Sequence, residues 1–137
     1  MKLSIKILIP GAVAWSGEAE QINIQTTSGK ITILPNHISL LSVIETSVLA
    51  IKLNDSQLKL VVISDGYLSI TENNEINIVA DRCISEEKIN LEKLEKNYKE
   101  AIERVNQAKT PTRKYMANKA LKRFNCCYEI LNYRKDN

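Results

Sequence analysis

This 137-residue chain is poor in cysteine, glycine, proline and histidine, with 3, 4, 3 and 1 of each. Each scarcity excludes something. Three cysteines, two of them adjacent (Cys83, Cys126 and Cys127), do not form a disulfide framework. Free thiols in a reducing compartment are the expectation, with a redox or metal role as the alternative. The glycines Gly11, Gly17, Gly29 and Gly66 are scattered, so there is no phosphate-cradling Walker A loop. HExxH, CxxC and GxSxG are absent too. His37, the one histidine, has no Ser or Cys partner close in sequence, and a general base needs positioned neighbours. No apolar run approaches the ~18–20 residues that span a bilayer. The opening stretch MKLSIKILIPGAVAWSG interrupts its apolar positions with Lys2, Ser4 and Lys6, so it reads as a strand and not as a signal core. The protein is expected to work in the compartment where it is made. Abundant Ile, Asn and Lys fit an AT-rich genome, such as that of a reduced plastid, a parasite or a symbiont.

What is present follows two periods. Up to residue 84 the apolar residues alternate. KLSIKILI places Leu3, Ile5, Ile7 and Ile9 on one face; QINIQT and KITIL continue the pattern with Ile22, Ile24, Ile31 and Ile33. SVLAIKL, NDSQ and LKLVVIS read as a hairpin, and GYLSI, ENN and EINIVA as a second. Short strands with regular turns predict an antiparallel sandwich or barrel. One helical turn is conceivable around His37 to Leu41. Asp65 and Asp81 are expected at strand ends, in turn or cap roles.

From residue 85 the period becomes helical. Ser85 is the expected N-cap, with Glu86 and Glu87 in the first turn. Leu91, Leu94, Tyr98, Ile102, Val105 and Ala108 line one face. Thr110-Pro111-Thr112 breaks the run. Ala117, Ala120, Leu121, Phe124, Tyr128 and Leu131 line a second helix, giving an antiparallel helical hairpin. The predicted architecture is mixed and mainly β. A β-sandwich spans residues 1–84, and a two-helix hairpin spans 85–137, turning near 109–113. Charge is unevenly shared. Residues 1–84 carry six Lys/Arg against eight Asp/Glu, and 85–110 carry six of each. Residues 111–137 carry seven against two, a local excess of +5. Such a face is either solvated, or docks on an acidic partner, or binds nucleic acid.

This organisation resembles the epsilon subunit of F-type ATP synthases. The resemblance runs the whole length of the chain. Gly29, Leu34, Pro35 and His37 match a motif of the form "LPNHAP", and Gly66, Tyr67, Ile78, Val79 and Ala80 match a second, with Asn36 most like plastid members. The chain departs from the family pattern in three places. Asp65-Gly66 stands for a double glycine, and His37-Ile38-Ser39 for "HAP". Ile89-Asn90-Leu91-Glu92-Lys93-Leu94 stands where some bacterial members bind ATP through "I/L-D-x-x-R-A", so neither an ATP site nor any other cofactor is expected.

The resemblance implies a non-catalytic rotor subunit between the gamma subunit and the ring of c subunits. It implies contacts of the hairpin with the beta and alpha subunits that brake ATP hydrolysis. It also implies a plastid thylakoid location on the stromal face, or alternatively the cytoplasmic face of a bacterial inner membrane. Membrane association would come only through the complex. The residues implied at the gamma and c-ring interface are Lys30, Ile31, Pro35, Asn36, His37 and Leu40. Those implied in the brake are Arg113, Lys114, Lys119, Lys122 and Arg123. Two other readings compete: a free-standing nucleic-acid-binding module using the basic helix, and a sensor taking ATP through the hairpin.

Overall fold

The computed structural model describes residues 1–136. Eight strands precede two helices: β1 (Leu3–Ile9), β2 (Ala12–Ala19), β3 (Gln21–Thr26), β4 (Gly29–Ile33), β5 (Leu40–Ile44), β6 (Ser47–Asn54), β7 (Gln57–Ile70), β8 (Glu75–Ser85), α1 (Leu91–Gln107) and α2 (Pro111–Asp136). The expected β-sandwich followed by a helical hairpin is what the chain forms. Both expected hairpins are present, β6 with β7 and β7 with β8. LKLVVIS and GYLSI, however, are not separate strands. They are the two halves of β7, which runs for 14 residues.

The long strands explain the layering. The first half of β7 pairs with β6, and its second half with β5. β8 follows β7 along nearly its whole length and then pairs in parallel with β1, which carries β2. β3 joins β6 and carries β4. One layer is therefore β5, the second half of β7, the first half of β8, β1 and β2. The other is β4, β3, β6, the first half of β7 and the second half of β8. Between them lies a core of fully buried aliphatics, including Leu3, Ile5, Ile7, Ile22, Ile33, Leu49, Ile63, Leu68 and Ile78.

Where strands pass from one layer to the other, the alternation slips by one residue. Val61 and Ile63 point into this core, but so do Leu68 and Ile70. Ile44 points in, and then Leu49 and Ile51 do. Since side chains alternate strictly along a strand, each slip marks a local bend. The bends lie side by side at Glu45–Thr46, Ser64–Gly66 and Ala80–Arg82. Asp65 has φ 32 there, in left-handed space that Asp tolerates better than most residues. At Gly66 a Cβ would overlap the Val79 carbonyl oxygen, so only glycine permits the strands' approach.

The helix ends differ from the sequence expectation. Ser85 does not cap the α-helix; it precedes only a 3-10 turn and makes no side-chain cap hydrogen bond. It still pairs with Val61 in the sheet, and Glu86–Lys88 form a single 3-10 turn. Asn90 caps α1 instead, its Oδ1 accepting from the Glu92 and Lys93 amides at 3.0 and 3.3 Å. Thr110 caps α2 through the Arg113 amide at 3.2 Å, and Pro111 occupies the first helical position, where its missing N–H costs nothing. The Thr-Pro-Thr stretch thus starts the second helix as well as ending the first.

α2 lies between α1 and the sandwich. Cys126, Cys127 and Ile130 pack with Leu94 of α1 and with Leu60 and Val62 of β7 in a second core. Tyr98 meets Tyr128 edge to face, ring centroids 5.3 Å apart. Because α2 is covered on two sides, the single stripe read from the sequence omits Cys126, Cys127 and Ile130. Two members of the α1 stripe, Leu91 and Ile102, lie on its exposed side.

Candidate interaction surfaces

The motif around Leu34–His37 is a tight turn, and no helical turn forms at His37 to Leu41, where Leu40 and Leu41 already belong to β5. The His37 amide donates to the Leu34 carbonyl at 3.2 Å, with Pro35 and Asn36 at the two central positions. Asn36 has φ 69. Proline followed by a left-handed Asn is the chemistry of a type II turn. Asn74, buried at the tip of the β7–β8 hairpin, accepts from the Asn36 amide through its Oδ1 at 2.6 Å. Two turns from distant parts of the chain are thereby fastened together. His37 is half-buried, and its Nδ1 lies 2.8 Å from the Ile38 carbonyl. Leu34 is 52% exposed, because the chain leaves β4 after Ile33.

The residues expected at the gamma and c-ring interface do not all come together. Pro35, Asn36 and His37 form the turn, and Leu40 starts the next strand, half-buried against the core. Lys30 and Ile31 lie at the far end of β4, about 13–16 Å away at ordinary strand rise. There they line a groove beside α2 with Leu60, Lys122 and Ile130.

A feature that sequence reading missed lies on the outer face of the β5-β7-β8-β1-β2 layer. Val43 pairs with Tyr67, Tyr67 with Val79, Val79 with Leu8, and Leu8 with Val13. These five residues make one apolar row across five strands. Val43, Tyr67 and Val13 are each more than half exposed, and Leu41 on the neighbouring row is 74% exposed. Ile38 and Leu34 extend the apolar surface toward the turn. The signal was available in LLSVI, which is apolar at both odd and even positions. A strand with one solvated face should not be.

The opposite outer face is covered by α2, and ion pairs surround the contact. Lys119 Nζ lies 3.1 Å from Asp65 and 3.2 Å from Asp81. Lys122 lies 3.9 Å from Glu45. All three carboxylates stand at the bends between layers. Asp65 and Asp81 are therefore mid-strand ion-pair residues and not strand-end turn residues. Thr46 Oγ1 also donates to Asp65 Oδ1 at 2.9 Å. Burial opposes ionisation of Asp65, but hydrogen bonds from Thr46 and Lys119 outweigh it and hold the carboxyl below its ordinary range. Toward the end of α2, Arg134 grips both oxygens of Glu86 at 2.8 Å and donates to the Leu58 carbonyl.

The remaining brake residues have other surroundings. Arg113 and Lys114 are exposed. Arg123 is half-buried beside Phe124. Arg113 and Arg123 line a second groove with Arg82 and Arg104. In the stretch compared with the bacterial ATP motif, Asn90 is used as a cap, Lys93 is exposed and Leu94 is in the second core. The three cysteines are free; burial pushes the Cys126 thiol up to about 11 and raises Cys83 and Cys127 as well. Among the described residues no group of His, Cys, Asp and Glu is arranged to hold a metal ion, and no helix is long and apolar enough to cross a membrane.

Residues 2–86 match the family model described as ATP synthase, Delta/Epsilon chain, beta-sandwich domain. Over 137 residues, 99% of both chains, the sequence is 58% identical to the chloroplastic ATP synthase epsilon chain of Bigelowiella natans. The chain belongs to the ATP synthase epsilon-chain family. It is also 31% identical to the chloroplastic epsilon chain of Staurastrum punctulatum, covering 90% of this chain and 88% of that one. Among solved structures, a chain of the Euglena gracilis mitochondrial ATP synthase (OSCP/F1/c-ring) superposes with a TM-score of 0.81 at 19% identity, covering 95% of this chain and 81% of that one. A chain from the central stalk/c-ring of the Tetrahymena thermophila enzyme gives 0.63 at 14% identity, covering 91% and 95%. At such identities the structural likeness speaks for the fold. The family's sandwich fold extends through the whole β portion here and reaches Glu86, the partner of Arg134. Nothing in the comparisons supports a nucleic-acid-binding module, and Lys119, Lys122 and Arg134 are engaged with carboxylates.

Proposed function

We propose that this chain is the non-catalytic rotor subunit of a plastid F-type ATP synthase, with residues 1–84 as a rigid joint and 85–137 as a regulatory arm. The observation that carries this reading is the apolar row Val43–Tyr67–Val79–Leu8–Val13. An exposed apolar patch of this kind marks a protein-binding face, and here it lies on the layer that the hairpin leaves open. In this reading the gamma subunit covers that row, and the Pro35–His37 turn with Leu40 points toward the c ring. Lys30 and Ile31 belong to the same interface only if a partner also reaches the groove beside α2. A close-packed two-layer body suits torque transfer, since packed interiors resist shear. The complex sits on the stromal face of the thylakoid, and the chain touches the membrane only through its partners.

The hairpin is the proposed brake on hydrolysis. When it leaves the sandwich, Lys119, Lys122 and Arg123 join the already exposed Arg113 and Lys114 in meeting acidic surfaces of the beta and alpha subunits. The chloroplastic relatives, the family match and the +5 charge of the last segment support this reading. The test is co-purification of tagged full-length chain with gamma from gently solubilised membranes. The complex should be recovered, and Tyr67→Asp should abolish recovery. Isolation of the chain alone would sink the proposal.

A further inference from the structure

We propose that Lys119, seated between Asp65 and Asp81, and Lys122, beside Glu45, form a salt-sensitive latch that holds the hairpin down on the sandwich. The latch is a property of the folded chain. Only its consequence for hydrolysis rests on the function proposed above.

The geometry is specific. Lys119 and Lys122 are three residues apart, so they share one face of α2. Their three partners come from two adjacent strands, β7 and β8, and from the bend after β5, which pairs with β7. Lys119 is partly buried and touches two carboxylates at once, at 3.1 and 3.2 Å. If α2 lifts away, Glu45, Asp65 and Asp81 lose the cations Lys119 and Lys122. Release therefore exposes the apolar seat of Ile130 and also strips the bend of those counter-charges. Asp65 is further held in place by Thr46, which gives it one orientation toward Lys119.

The latch and the proposed brake draw on the same lysines. Removing Lys119 or Lys122 weakens both positions of the hairpin. Removing Asp65 weakens only the docked one. Substitutions at the two ends of one ion pair thus have different consequences for inhibition.

The experiment uses full-length chain with Asp65→Gly. Asp65 is in left-handed backbone, so glycine removes the carboxylate without strain. Amide deuterium exchange in α2 should rise roughly fivefold, the size of one well-placed surface pair. Exchange in β1 and β3 should stay unchanged. Raising salt from about 0.05 to 0.5 M should loosen α2 in the parent chain and have a smaller effect in the variant, which keeps the Lys119–Asp81, Lys122–Glu45 and Arg134–Glu86 pairs. Asp81→Asn, which keeps side-chain shape, provides a second test with the same expected direction. In the reconstituted complex, Asp65→Gly should strengthen inhibition of ATP hydrolysis, and Lys119→Ala, which weakens both positions, should strengthen it less. Exchange in α2 that is unaffected by both substitutions and by salt would overturn the latch. If α2 loosens while hydrolysis does not change, the latch stands and the brake reading falls.

Discussion

The two outer faces of the sandwich solve the same problem in different ways. Each layer presents apolar side chains away from the central core. On one, Val48, Ala50, Leu60 and Val62 lie under α2. On the other, Val13, Val43 and Tyr67 remain open to solvent. The covered face is ringed by ion pairs with the helix; the open row of Leu8, Val13, Val43, Tyr67 and Val79 has no charged member. An intramolecular cover that is fastened partly by exchangeable charges can detach. A face with no cover within its own chain is free for a partner. Under the proposed function, the covered face is the regulatory surface and the open one the assembly surface of one small β body.

The sharpest break of this comparison falls on the hinge shared by the two layers. Gly66→Ala would drive a methyl group into the Val79 carbonyl. A backbone clash in the middle of a ladder cannot be relieved by a rotamer change. We expect a loss of about 3 kcal/mol or more, read as a drop in the denaturant midpoint of the whole sandwich. Both faces should be lost together, since β7 and β8 belong to both.

Next in size are substitutions that affect one face and not the other. Ile130→Ala removes a buried side chain from the second core and should cost about 2–5 kcal/mol of docking energy. Deuterium exchange should then rise in α1 and α2, with β1, β3 and β8 still protected. Tyr67→Asp acts on the open face. It should lower the stability of the isolated chain by only about 1–2 kcal/mol, through lost strand propensity and its pairs with Val43 and Val79, yet remove gamma from the pull-down. If Tyr67→Asp unfolds the chain instead, the open row is structural and the contrast between the faces fails.

What the sequence disclosed divides along the same line. The inward residues of β1, β3 and β4 were legible, because Leu3, Ile5, Ile7, Ile22, Ile24 and Ile33 keep a strict period of two. The bends were not. At Ser64–Gly66 the period slips, and a slip in a single sequence looks like a strand ending, which makes β7 look like two strands and Asp65 and Asp81 like turn residues. Ser-Glu-Glu at 85–87 is a good local helix start, but pairing of Ser85 with Val61 prevails over local preference. α2 was under-read for a geometric reason. A helix buried on two sides has no single stripe, so Cys126, Cys127 and Ile130 fell outside the pattern. The Leu34–His37 turn was recognisable as a motif. Its anchoring by Asn74, 38 positions on, depends on a contact that no local pattern encodes.

A smaller effect belongs to that turn. Asn36→Ala places a Cβ-bearing residue with no local hydrogen-bonding side chain at φ 69, which should cost about 1–2 kcal/mol. Asn36→Gly should be close to neutral, because the contact to Asn74 runs through the backbone amide. If both variants lose stability equally, the Asn36 side chain matters and the turn argument is wrong. The turn serves the open layer's end of the molecule, so neither substitution should loosen α2.

The smallest effect distinguishes the faces by acid alone. The Arg134 hydrogen bonds lower the pKa of Glu86, with burial opposing. Asp65 is lowered too, where Thr46 and Lys119 outweigh burial. A carboxylate whose pKa is lower when folded contributes stability above its unfolded value, about 4, and loses it as pH falls through the folded value. Hairpin docking should therefore be unchanged from pH 7 to about 5 and weaken below about 4. Both partners of the Arg134 pair are partly solvated, so the change should stay within about 1 kcal/mol. It should appear as faster exchange in α2 at pH 3 than the intrinsic acid dependence of exchange explains, with β1 and β3 following that dependence. Arg134→Met and Asp65→Gly together should flatten the difference. The sandwich core contains no ionisable side chain among Leu3, Ile5, Ile7, Ile22, Ile63 and Leu68, which is why acid should release the cover before it opens the body.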